Sequence, residues 1–301
     1  MALTQETEKA ALEAFLLEQK AVNIYAIGDL HPSCWADCVW DGLREPRGGA
    51  LRAVALTYRG LAVPVLQVLA DPSSIAALDA AKRALQLLVA AAPERLPAGA
   101  FEAHLNSGFE TVLRDAGFAV EAHPHLRMVL APDDLVQLRA DPQLRVDRPL
   151  RGQGRAATPR RLTPADADAC MDLCGTLERS WFQPQCLDSG IYYGVYSDDD
   201  SGGSLLAMGG THVAAPEYGV AALGNIATRA SQRRKGYGRL VVRALCLALA
   251  DHGIETIGLN VAADNQAAIA MYKGLHFNTA MEFVECDVEK QRGRAAAQAV
   301  I

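Results

Sequence analysis

The sequence has no run of the roughly 18 to 20 uninterrupted apolar residues that a membrane-spanning helix needs. Residues 1–20 mix acidic and basic side chains where a secretory leader would need an apolar centre, so the chain reads as cytoplasmic and without a membrane partner. Positive charge is not in excess. The 29 Lys and Arg stand against 35 Asp and Glu, a net charge of -6, so no overall field exists to hold a nucleic acid. Nor is there a cysteine framework: the seven, at 34, 38, 170, 174, 186, 246 and 286, are scattered and odd in number, which implies reduced thiols. The pairs Cys34/Cys38 and Cys170/Cys174 have the spacing of one helical turn but no CxxC or HxxxH partner nearby, and no metal is expected.

Half of the 301 residues are hydrophobic and 21% are charged, the composition of an ordered globular chain, at a length suited to two domains. The clearest break lies at 140–161, where Arg145, Arg148, Arg151, Arg155, Arg160 and Arg161 mix with Pro149, Gly152, Gly154 and Pro159 and no apolar period survives. A linker at 141–159 would separate domains at 1–140 and 160–301.

Upstream, the patterns predict a helix over 6–19, strands over 51–58 and 61–68, a long helix from 71 to 91, a strand over 100–105, a helix over 109–115, and strands over 118–121 and 126–130. Downstream, Thr163-Pro164-Ala165-Asp166 starts a helix by its capping residue and first-turn proline. Strands follow over 191–196, 205–213 and 220–227, then a helix over 237–251, a strand over 256–261, a helix over 265–273 and strands over 277–288. Both halves close with strand, long helix, strand, short helix, break, Phe and strand, with Ala116-Gly117-Phe118 and Leu275-His276-Phe277 in matching places. This is the pattern of an internal repeat at the level of fold.

The residues that point to chemistry begin at Gly224. A strand ends near Ala227, a short polar loop follows, and Arg233-x-x-Gly236-x-Gly238 opens a helix whose Leu240, Val241, Ala244, Leu245 and Ala248 repeat with helical period. The first N–H groups of a helix are unpaired and receive an anion. Glycines at 236 and 238 remove the Cβ atoms that would keep a phosphate from the backbone, and Arg233, Arg234 and Lys235 add positive charge where the helix dipole already favours an anion. A glycine turn among solvated arginines has the same pattern, so a second segment is needed. It comes in 259–277, where Asn265, Ala268 and Tyr272 stand at i, i+3 and i+7 on one helical face. A nucleotide-binding P-loop is disfavoured, because no Lys-Ser/Thr follows the glycines.

These two linked motifs resemble the Gcn5-related N-acetyltransferase (GNAT) superfamily over residues 160–288. The resemblance implies an α/β (α+β) fold of two GNAT-like domains, each a mixed, mostly antiparallel sheet flanked by helices, the N-terminal one degenerate. It implies an acyl-CoA-dependent N-acyltransferase, with acetyl-CoA as co-substrate and no metal, in which a small-molecule primary amine attacks the thioester directly through a tetrahedral intermediate. The amides of Arg234, Lys235, Gly236, Tyr237, Gly238 and Arg239 would hold the pyrophosphate, with Arg233 beside them. Asn265 would touch the pantetheine or the end of the cofactor, Ala268 and the strand end at Ile226, Ala227 and Thr228 would line the cofactor, and a backbone N–H at Asn225 to Ala227 would be the oxyanion donor. Tyr272 would protonate the leaving thiolate, a role a phenol of pKa near 10 suits.

The general base departs from the superfamily pattern. The strand position that carries Glu in some members is Ala222, and 220–227 holds no carboxylate; Glu217 and His212 are the candidates that could act through water, or the amine arrives deprotonated. His276 stands where Gly usually precedes the Phe. The acceptor site, by resemblance, falls near Trp181-Phe182 and Tyr192-Tyr193-x-x-Tyr196, although aromatics at strand spacing also fit a core. In the N-terminal half the long helix starts at Asp71-Pro72-Ser73, where proline removes an amide and aspartate repels an anion, so that half would cover the acceptor side or support a homodimer. The missing carboxylate also fits a noncatalytic acyl-CoA-binding or sensing module.

Overall fold

The computed structural model describes residues 2–45, 49–141, 158–176, 182–197 and 203–290. Trp181 and residues 142–157 of the expected linker lie outside the described residues. In chain order come strand β1 (Leu3–Gln5), helices α1 (Lys9–Glu18), α2 (Ile24–Gly28) and α3 (Pro32–Trp35), strands β2 (Cys38–Arg44), β3 (Leu51–Tyr58) and β4 (Val65–Leu69), and helix α4 (Ile75–Ala91). Then follow β5 (Phe101–Leu105), α5 (Glu110–Asp115), β6 (Phe118–Leu130), α6 (Pro132–Ala140), β7 (Arg160–Arg161), α7 (Ala167–Cys174) and α8 (Cys186–Ser189). The last elements are β8 (Tyr192–Tyr196), β9 (Leu205–Ala215), β10 (Val220–Thr228), α9 (Tyr237–Asp251), β11 (Thr256–Ala262), α10 (Gln266–Lys273) and β12 (Asn278–Lys290). All seven cysteines are free thiols, and among the described residues no helix is long and apolar enough to cross a membrane.

The chain forms two compact units, but not the halves 1–140 and 160–301. The first takes the described residues within Met1–Gln19, Asp29–His125 and Met281–Ile301, the second those within Lys20–Gly28 and Leu126–Ala280. Strand order in the first is β1-β2-β3-β4-β5-β12 followed by residues 118–125 of β6, and in the second residues 126–130 of β6 followed by β11-β10-β9-β8-β7. Each unit therefore completes its sheet with a strand from the other half of the sequence. The reason is visible in the first unit, where β12 pairs antiparallel with β5 from Val284↔Leu105 to Val288↔Phe101. Its Val284, Cys286 and Val288 join the core that α4 covers with Ala81, Ala84, Leu85 and Leu88. Alternating apolar residues specify a strand that needs a buried face; they do not specify which half provides the neighbour.

The expected repeat is present, as β4-α4-β5-α5-β6 and β10-α9-β11-α10-β12. In each copy the strands flanking the long helix are parallel, β4 with β5 and β10 with β11, while β2 to β4 and β7 to β10 pair antiparallel. In the second unit α9 lays Leu240, Val241, Leu245 and Leu249 on the sheet at helical spacing. Full burial of side chains of this kind contributes about 1.5–3 kcal/mol each.

Two glycines let an N-terminal segment into the second unit. A Cβ on Gly258 of β11 would stand 2.6 Å from Ile24 Cδ1, and one on Gly28 would overlap Val213 Cγ1. Buried Arg127 fixes the same segment, donating from Nη1 to the Val22 carbonyl and from Nε to Asn260 Oδ1 at 3.1 Å.

Candidate active site

β10 and β11 pair over only three positions, Val220↔Thr256, Ala221↔Ile257 and Ala222↔Gly258. Beyond them β10 shifts register against β9 between Ala222 and Leu223 and again between Gly224 and Ala227. A bulge twists and bends its strand, and here the strands part. The space opened is a cleft of about 890 Å³, walled by Leu223 to Ile226 on one side and Leu259 to Ala262 on the other, with α10 and the loop before α9 closing it.

The bulge centres on Asn225, whose φ of +53° is left-handed. Its Nδ2 donates to Tyr192 Oη at 2.9 Å, and Tyr192 Oη donates to the Thr211 carbonyl at 3.3 Å. Asn225 and Ile226 have no register partner on β9, so their backbone groups stand outside that ladder at the cleft wall. A donor fixed in this way stabilises a developing oxyanion without reorganising.

At the other end of β10, Arg229 anchors the loop, donating from Nη2 to Asp172 Oδ2 at 2.7 Å and from Nε to the Leu205 carbonyl at 3.2 Å. Arg234 (φ +64°) and Gly236 (φ +94°) are both left-handed, and α9 begins at Tyr237 with no side-chain cap and no acidic residue in its first turn. Alternating backbone handedness before an uncapped helix start gathers N–H groups into an anion-binding concavity. Gly238 is required by close approach: its Cβ would be 3.1 Å from Thr228 Oγ1 and 3.3 Å from Met271 Sδ. Arg233, Arg234 and Arg239 are exposed around this opening.

The structure brings together Ile226, Thr228, Arg233, Arg234, Gly236, Tyr237, Gly238, Arg239, Asn265, Ala268 and Tyr272 around the one cleft. Tyr237 does so by its backbone, since its side chain is buried in the core. Ala227 and Lys235 are not among the lining residues: Ala227 points into a second core cluster, and Lys235 Nζ donates to Gln232 Oε1 at 2.8 Å. Asn265 also has a structural task, its Oδ1 capping α10 by accepting from the Ala268 amide at 3.2 Å.

Tyr272 is 6% exposed, its ring tilted against Phe277 at 5.9 Å, and its Oη makes no hydrogen bond among the described residues. Burial pushes its phenol pKa well above the ordinary range, with Tyr25 and Cys246 adding to the rise. The proton stays on at neutral pH.

Neither base candidate lines the cleft. Glu217 lies exposed in the turn Pro216–Tyr218, before the end of β10 that pairs with β11 and not at the end that walls the cleft. His212 is one strand away on β9, beside Gly224: a Cβ on that glycine would be 3.0 Å from His212 Cβ. The His212 ring meets the Tyr25 ring at 6.0 Å, and the Arg127 guanidinium lies over the Tyr25 ring, 4.8 Å from its centroid. The sequence reading missed Tyr25, and it placed Asn225 at the strand end expected to donate to an oxyanion without the bulge. Gly224-Asn225 inside a strand was a signal for the bulge; nothing in sequence tied residue 25 to residue 272.

The expected acceptor aromatics are mostly framework. Phe182 and Tyr192 pack edge to face at 5.7 Å in the core, and Tyr196 Oη donates to Asp166 Oδ1 at 2.7 Å under the Arg160 guanidinium. His276 takes φ +66°, so it performs the left-handed turn of the glycine it replaces, and α10 ends at Lys273.

Residues 162–277 match the family model described as Acetyltransferase (GNAT) family. Mycothiol acetyltransferase of Tsukamurella paurometabola is 35% identical over 98 residues, 33% of this chain and 33% of that protein. The [Ribosomal protein bS18]-alanine N-acetyltransferase of Escherichia coli K12 is 40% identical over 78 residues, 26% of this chain and 51% of that protein. The matches thus span a third and about half of these relatives. A solved tandem GNAT protein from the clavulanic acid biosynthesis pathway superposes with a TM-score of 0.54 at 14% identity, covering 96% of this chain and 98% of that one, a likeness of fold.

Proposed function

From the match of residues 162–277 to the GNAT acetyltransferase family model, we propose that the protein is an acetyl-CoA-dependent N-acetyltransferase acting on the primary amine of a small molecule. The observation that carries the proposal is the bulge-opened cleft, with an anion-receiving loop at one end and a buried, protonated phenol on its wall. The loop from Arg234 to Arg239 fits a pyrophosphate: it offers uncapped amides, two left-handed residues, a glycine whose Cβ would fill the approach, and exposed arginines.

Acetyl-CoA supplies the thioester. Backbone N–H groups at Asn225 and Ile226 stabilise the oxyanion formed when the amine attacks, and Tyr272 Oη gives its proton to the departing thiolate. Of the side chains proposed as base, His212 remains in place to take the amine's proton through water, whereas Glu217 stands before the end of β10 that pairs with β11. The acceptor enters beside Tyr25 and His212, where an N-terminal segment forms part of the second unit. One relative is by its name a mycothiol acetyltransferase and the other an alanine N-acetyltransferase of a ribosomal protein.

The test is calorimetric titration of the full chain with acetyl-CoA beside Gly236→Glu, which sets a carboxylate where the pyrophosphate is to lie. Binding by the wild type and its loss in a folded variant support the site, and thiol release on adding amines then identifies the acceptor class. Binding without thiol release for any amine or peptide favours the sensing module. Absence of wild-type binding removes the assignment.

A further inference from the structure

In the first unit three neighbouring strands carry acidic and imidazole side chains on the face opposite the core. β5 puts Phe101, Ala103 and Leu105 inward and so turns Glu102 and His104 to the other side; β12 does the same with Glu285 between Val284 and Cys286. His104 is directly opposite Glu285 in register, and Glu102 is opposite Asp287. On β6, Val120 and Ala122 pack on the core and His125 shares the parity of the outer face.

The distances converge. His104 Nε2 lies 2.6 Å from Glu102 Oε1 and 3.8 Å from Glu285 Oε1, and His125 Nε2 lies 3.2 Å from the other Glu285 oxygen. The ligand atoms of Glu102, His104 and Glu285 are all within 4.8 Å of one another. Around one Zn2+ with metal–ligand distances of about 2 Å, ligand atoms sit roughly 3 to 4 Å apart, so small side-chain rotations close the set. The four side chains are 11%, 13%, 18% and 16% exposed, which gives a desolvated but reachable site.

The tautomer of His125 bears on the site. Its Nδ1 lies 2.9 Å from the His123 carbonyl oxygen, which only accepts, so Nδ1 carries the proton. Nε2 then faces a Glu285 oxygen at 3.2 Å, a contact made favourable by either a second proton or a metal ion shared between the two atoms. Donation of the second ring nitrogen to a backbone carbonyl is also how metal-binding histidines are held. Carboxylates on adjacent strands repel across the ladder, and a divalent ion at their centre reverses the sign of that interaction.

The site has a meaningful place in the repeat. Pairing of β4 with β5 ends at Gln67↔His104, as pairing of β10 with β11 ends at Ala222↔Gly258. His104 thus occupies the position held by Gly258, at the point where the second unit opens its cleft.

The geometry points to a divalent transition-metal site formed by Glu102, His104, His125 and Glu285; a set of two imidazoles and two carboxylates suits Zn2+. The test is metal uptake by the tag-free full chain, stripped with chelator, desalted and titrated with zinc chloride, with bound zinc counted by mass spectrometry and Co2+ used for visible spectra. One Zn2+ per chain is expected, with a thermal shift on loading. His104→Gln and Glu285→Gln are each expected to weaken uptake at least tenfold, and Cys34→Ser/Cys38→Ser to leave it unchanged. No uptake by the wild type, uptake insensitive to His104 and Glu285, or uptake lost in the cysteine variant overturns the proposal, and the first outcome assigns the cluster to protonated histidines. If one variant fails to fold, the other and His125→Ala provide the same readout.

Discussion

Asn225 Nδ2 donates to Tyr192 Oη at 2.9 Å, tying a left-handed bulge residue at the cleft wall to a tyrosine with no exposed surface on β8. The bond holds the bulge in the strand that walls the cleft. Tyr192→Phe keeps the ring and removes the oxygen, and it is expected to lower stability by about 1 kcal/mol. Thiol release is expected to slow with acetyl-CoA affinity nearly unchanged. Equal loss of both in titration and turnover would mean that the bond supports the cleft as a whole rather than the bulge.

Tyr272→Phe is expected to reduce turnover by 10²-fold or more, within the usual range for loss of a general acid, while titration with acetyl-CoA gives wild-type affinity. Because the folded phenol titrates above its ordinary range, the rate is not expected to fall through loss of this proton below about pH 10. A descending limb near pH 8 that disappears in the variant would contradict this role.

Asp29 gives a pH dependence of stability. It is 8% exposed, and burial raises its carboxyl pKa to about 7, with Gln67 Nε2 donating to it at 3.4 Å. Below the ordinary carboxylate pKa both folded and unfolded chains hold this proton, and its contribution is fully present. Between about pH 4 and 7 the unfolded chain releases it first, so stability falls as pH rises. Asp29→Asn is expected to lack this fall and to be more stable than wild type at pH 8, by no more than about 4 kcal/mol. Parallel denaturant profiles of the two proteins from pH 5 to 8 would exclude it.

The exchanged strands predict that the halves fail separately. Residues 158–301 alone lack α2 and the end of β6, so Met128 and Leu130 are missing from the core and β11 has an open edge. Neither this fragment nor residues 1–141 is expected to melt cooperatively, and coexpression is expected to restore a cooperative transition. A sharp melt of the C-terminal fragment with acetyl-CoA binding would show that the exchange is dispensable.

Most elements were legible because their signals are local. The 3.6 period fixed α9 at 237–251 in sequence and structure alike, α4 ends at Ala91 as expected but starts at Ile75 behind a Ser74 cap rather than at 71, and the glycines at 236 and 238 marked a turn before α9. β6 was read as two short strands with a break near Pro124, yet it runs unbroken from Phe118 to Leu130. Strand partnership was not legible. A strand's apolar alternation is the same whether β5 meets β6 or β12, so the division at 140 and 160 followed composition and missed the exchange. The candidate site divides similarly. The loop at 233–239 is contiguous and so stands out in sequence, whereas Tyr25 reaches the neighbourhood of Tyr272 only through tertiary packing, and the histidines and glutamates of the first unit share a face only once β12 has been inserted.

The same insertion sets an order of events during synthesis. β5 leaves the ribosome long before β12, so the first unit, although its helices and first five strands are complete early, waits for almost the last described residues before β12 arrives. Domains made first generally fold first. Here the N-terminal unit must finish last, which leaves the edge of β5 unpaired with β12 for the whole time needed to translate the C-terminal half.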